Sequence, residues 1–143
     1  MTIDDLYAQH RELMRLCEDI LTAASTSPPA MADLLAARRA MAQAMARHLA
    51  DETVLALKPL GTSPDAGDRA LARRYTDDLL VLRQGSTAHY AAWTAETIAA
   101  APREYRLQVR QLMNVMAARR LWEETEFLPA ASRLLANPLR KAG

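Results

Sequence analysis

Cysteine occurs once in the 143 residues, phenylalanine once, and valine and isoleucine together only seven times. A lone thiol, Cys17, excludes an internal disulfide and is typical of a reducing compartment. Seven β-branched aliphatics are too few to furnish the strands of a sheet. Four glycines and seven prolines exclude collagen-like and glycine-rich disordered chains. An excess of one charge is missing too. Eighteen basic residues against 17 acidic ones leave +1, so there is no bulk electrostatic footprint for nucleic acid or an anionic membrane. No run approaches the ~20 apolar residues of a transmembrane helix, and MTIDDLYAQH lacks the basic stretch and apolar run of a signal peptide. The expectation is a soluble, cytoplasmic protein.

What is present is helix-forming. Alanine (29) and leucine (21) make up about a third of the chain, and Arg, Glu, Gln and Met add to the same preference. The apolar half of the composition is enough for one buried core without a disulfide or structural metal, giving a single all-α domain over residues 1–143.

Thr2 and Asp5 form a capping-box pattern, and helical periodicity then runs to about Ala24 with the stripe Leu6, His10, Leu13, Met14, Cys17, Leu21. Ser25 to Pro29 reads as a turn, with Ser27 as N-cap and Pro28 at the first helical position. A second helix runs to about Leu57, where Pro59, Gly61 and Pro64 break the chain. Its stripe is Leu34, Met41, Met45, His48, Glu52, Leu55. A third helix runs from Ala66–Asp68 towards Ala101, with Gly85–Ser86 as a point of bending. A fourth starts at Pro102, carries Val109, Leu112, Met113, Met116, Arg120 and Glu124, and ends near Phe127, ahead of Pro129. A short terminal helix over Ala130–Leu135 follows. Four amphipathic segments and short loops predict an up-down-up-down antiparallel four-helix bundle. The methionines at helical spacing read as core filling.

The informative feature is polar chemistry on apolar stripes. His10 interrupts the first, His48 and Glu52 the second, and Arg120 and Glu124 the fourth. Side chains four apart lie above one another on a helix face, and imidazole with carboxylate is a ligand set for iron, zinc or manganese. Counting residues from the first turn puts His10, His48 and Glu52 within ~12 Å along the axis. Carried through the later turns, the count puts the third-helix partner between Tyr75 and Leu82, with Asp78 nearest the middle and Tyr75 one turn away. His89 lies eleven residues beyond Asp78, ~16 Å further along. It reads with Tyr90 and Trp93 as a polar-tipped aromatic layer, which a different loop length would turn into a ligand layer.

With His10, HLADETVL (His48–Leu55) and RRLWEETEFLP (Arg119–Pro129) in helix order, the chain resembles the hemerythrin-like, or HHE cation-binding, domain. The resemblance implies ligand roles for His10, His48, Glu52 and Glu124. In the family such residues hold a non-heme di-iron centre bridged by carboxylates, in proteins that bind oxygen, handle nitric oxide or peroxide, repair iron–sulfur centres or sense iron. Two positions depart from the pattern. Arg120 stands at the fourth-helix histidine, and Asp78 or Tyr75 at the third. Arginine has no free acceptor and stays protonated, so the set is compatible with a di-iron site, a single-metal site or none. In the last case Arg120 points inward and its charge replaces the cation, balancing Glu52, Asp78 and Glu124 in a metal-free bundle that acts as a protein-interaction module. No nucleophile–base pair, phosphate loop or nucleotide motif is present, so any catalysis would come from the metal.

Overall fold

A computed structural model describes residues 1–137 and is helical throughout, with no strand among the described residues. Helix α1 covers Ile3–Ala24, α2 Met31–Glu52, α3 Lys58–Gly61, α4 Ala66–Ala92, α5 Ala95–Ala100, α6 Pro102–Trp122 and α7 Leu128–Ala136. The first starts as expected, with the Thr2 N–H donating to the Asp5 carboxylate at 2.7 Å.

At two turns the helix boundaries differ from the sequence reading. Helix α2 starts at Met31 rather than Pro28, because the Ala30 N–H closes back onto the Ala23 carbonyl at 3.0 Å and Ala30 takes the cap position. Helix α4 ends at Ala92 instead of running towards Ala101. Trp93 leaves helical geometry, and the Thr97 N–H bonds to the Thr94 hydroxyl to start α5. It passes through Gly85 without interruption.

Pro59 and Pro129, read as stops, lie inside continuing helix. Each is preceded by a π-helical turn, Thr53–Leu57 and Glu123–Phe127. A proline in a helix has no N–H and clashes with the carbonyl four residues back. The wider turn is closed by Lys58 N–H to Thr53 O and by Leu128 N–H to Glu123 O. Single π turns inside α-helices recur at functional sites.

Two apolar clusters form. One joins Leu13, Leu16 and Ile20 of α1 with Leu34 and Met41 of α2, Ile98 of α5, and Tyr105 and Val109 of α6. The other gathers Leu6, Leu60, Tyr75, Trp122, Phe127 and Leu134, with the Tyr75 and Phe127 rings stacked at 4.6 Å. Each fully buried side chain of this size contributes ~1.5–3 kcal/mol. His10 sits between Leu6 of the second cluster and Leu13 of the first, so the polar group lies where the two meet.

Candidate metal centre

Four side chains converge there: His10 from α1, His48 and Glu52 from the end of α2, and Glu123 from the start of the second π turn. All four are buried, and one potential ligand atom from each lies within 4.8 Å of all the others. His10 Nε2 stands 3.2 Å from Glu123 Oε1 and 3.8 Å from Glu52 Oε2. His48 Nε2 stands 3.3 Å from Glu52 Oε2 and 3.8 Å from Glu123 Oε1. Four N/O ligands held ~2.0–2.1 Å from a tetrahedral ion would be ~3.3 Å apart. The donor set therefore fits one small cation with modest contraction.

Each carboxylate is anchored by one oxygen and offers the other. Glu52 Oε1 accepts from the Tyr75 hydroxyl at 2.7 Å, while its buried Oε2 has no hydrogen-bond partner among the described residues. Glu123 Oε2 accepts from Arg119 Nε at 2.7 Å, and its Oε1 faces the histidines. The second imidazole is oriented in the same manner. His48 Nδ1 lies 2.8 Å from Gln9 Oε1, and Gln9 Nε2 donates to Asp51 at 2.7 Å. An amide oxygen only accepts, so Nδ1 carries the proton and Nε2 is left to face the carboxylates, the outer-sphere device that fixes a metal-binding tautomer.

The charges are strongly coupled. Burial disfavours a proton on His10, but the neighbouring Glu123 and Glu52 carboxylates outweigh it and lift the imidazole to about 9. His48 is raised for the same reasons. Burial likewise opposes ionisation of Glu123, and its contacts with His10, His48 and Arg119 hold it far below the usual carboxylate range. Two buried carboxylates beside two imidazoles are what a divalent cation would meet, and the His10 proton would leave as the cation entered.

His10, His48 and Glu52 are thus brought together as the sequence suggested. Tyr75 touches the cluster through Glu52 rather than through an open ligand position. Glu124 does not join the cluster. It is 28% exposed, pairs with Arg120 at 3.8 Å, and approaches only the outer nitrogen of His10, at 3.7 Å. Asp78 is 48% exposed and faces Arg74 and Arg119 at the surface. Arg120, a third exposed, lies against Glu124 and the Met14 sulfur, so it balances neither Glu52 nor Asp78. The inward guanidinium belongs to Arg119, which caps Glu123 and lies 4.4 Å from the centre of the Tyr75 ring.

One helical step separates expectation from structure. Glu123 lies fourteen residues beyond buried Val109, four turns of an α-helix with a lag of ~40°, whereas Glu124 is ~60° ahead. Four-residue steps through Arg120 accumulated that lead, and counting in heptads from Val109 would have found Glu123. Gln9 carried no pattern that distinguished it from the chain's other amides. His89 lies in the aromatic layer, its ring 5.5 Å from Tyr90 and 5.9 Å from Tyr105. No described helix is long and apolar enough to cross a membrane. The chain matches no protein-family model, no curated protein and no solved structure.

Proposed function

We propose that this chain is a hemerythrin-like metal-binding protein whose four long helices, α1, α2, α4 and α6, form an up-down-up-down antiparallel bundle around one non-heme iron ion. The observation that carries this reading is the paired spacing of 3.2–3.8 Å between the His10 and His48 nitrogens and the inward-facing oxygens of Glu52 and Glu123. Mixed nitrogen and oxygen ligands suit iron, manganese and zinc alike. Iron is assigned through the family resemblance. A bound ferrous ion would supply an open-shell centre for oxygen, nitric oxide or peroxide, or would itself be the sensed species. The chain's own residues hold and neutralise the ion, fix the histidine tautomer through Gln9, and hold the second glutamate through Arg119. The buried lone thiol, which burial pushes up to about 11, is unreactive and fits a cytoplasmic setting.

A second reading has one observation in its favour. Arg119 and protonated His10 together bring two positive charges to the two carboxylates, so the cluster is balanced without a cation, as in a metal-free interaction module. Anaerobic loading with Fe2+ followed by metal analysis separates the two. One equivalent per chain, lost in Glu123→Gln and retained in Glu124→Gln, is the expected result. Chain that stays free of stoichiometric iron, manganese and zinc after loading would overturn the metal reading in favour of the module.

A further inference from the structure

His10, His48 and Glu123 of the cluster line one end of a cavity of about 800 Å3 that runs between the long helices and is walled mainly by apolar side chains, among them Met41, Met45, Leu82, Met113 and Met116. That volume is in the range of a small-molecule site. Arg38 stands at the other end, ten residues before His48 on α2, ~15 Å away along the helix axis. It is only 8% exposed, and its Nε and Nη2 are buried with no hydrogen-bond partner among the described residues. Its guanidinium is held by ring faces alone, 4.8 Å from the centre of Tyr90 and 5.8 Å from that of Tyr105. Stacking of this kind holds the plane and leaves the N–H edge to bond elsewhere. His89 beside it is buried too, with Nδ1 unpartnered among the described residues. Burial and the charge of Arg38 both lower its pKa, against a hydrogen bond to Gln108 that raises it.

A buried guanidinium cannot shed its proton, and left without an anion it is costly. The matching anion is planar, accepts two parallel hydrogen bonds and carries a single charge, because one guanidinium would leave a phosphate dianion undercompensated. Between Arg38 and the metal cluster the wall is mainly apolar, with Arg83, Ser86 and Asn114 as polar members. We infer that the cavity binds a single-chain alkyl carboxylate, with its head on Arg38 and its tail extending through the methionine-lined space towards His48 and Glu123. This site uses none of the four proposed metal ligands for its head group and does not rest on the metal reading.

Calorimetric titration of the chelator-treated protein with decanoate, kept below its micelle-forming concentration, tests the assignment. The expected result is saturation at one decanoate per chain, at least ~10-fold tighter than decanol, as a charge-assisted head-group contact requires. Arg38→Met should bring decanoate down to the level of decanol. Absence of saturable binding, equal affinity for decanol, tighter binding of decyl phosphate, or a need for metal that moves the head group to the cluster would each overturn it. The head-group comparison uses the unaltered chain, so the outcome does not depend on how well the Arg38 variant folds. Failure of iron loading leaves it untouched.

Discussion

Glu52 and Glu123 divide their oxygens between support and chemistry, and the support can be removed one atom at a time. In Tyr75→Phe the ring stays stacked on Phe127 while Glu52 Oε1 loses its 2.7 Å donor. A buried acceptor left unmade costs ~1–3 kcal/mol, and loss of an outer-sphere anchor lowers metal affinity ~10–100-fold. Urea unfolding and metal titration should show both effects, and unchanged affinity would mean that Glu52 is aimed without the tyrosine. The proton on His10 gives a second prediction. Its pKa rises from 6.5 in the unfolded chain to about 9 in the folded one. The stabilisation it gives the metal-free protein is therefore complete below pH 6.5 and disappears as pH rises through about 9. Metal must displace the same proton, so affinity should increase over that interval while metal-free stability declines. Parallel pH series of unfolding and metal titration check this, and stability that stays flat between those limits would place the proton elsewhere. At this scale His10, His48 and Glu52 were legible because they interrupt apolar stripes and stand at comparable heights. Glu123 was not, since Glu124 beside it satisfies the same four-residue spacing from a neighbouring arginine.

Elements were easier to read in kind than in extent. Ala- and Leu-rich periodicity is enough for the helices, and it located α1 almost to the residue. Pro59 and Pro129 do not end their helices: each follows a π turn, and a proline's cost in a regular α-helix does not carry over to that geometry. The same turns begin at or directly after the glutamates of the cluster, Glu52 and Glu123. At Gly85, the expected point of bending, α4 is continuous and the backbone is not left-handed. A Cβ built there meets nothing within 4 Å. Gly85→Ala should therefore stabilise the protein by about 0.5–1 kcal/mol, chiefly by restricting the unfolded chain. A shift of the urea midpoint with unchanged slope is the expected signature. Destabilisation would show that α4 depends on flexibility at this point.

Across the whole molecule, the cluster links what the two apolar clusters leave separate. His10 brings α1, His48 and Glu52 bring α2, Glu123 brings the end of α6, and Tyr75 ties in α4. The all-α class was legible because composition and periodicity agree. The cavity was not, because methionines and leucines at helical spacing look the same whether they meet one another or line a void. A ligand that binds only the folded arrangement stabilises it according to its saturation, ~2.7 kcal/mol at a hundredfold excess over Kd. For a chain of this length that corresponds to roughly 5–10 °C in Tm. Adding Fe2+ anaerobically should produce a shift of this size that grows with metal concentration, and His10→Ala should abolish it while leaving α2 and α6 in place. A shift that survives His10→Ala would assign the stabilising ion to a site elsewhere, because without that imidazole α1 contributes no ligand to the cluster.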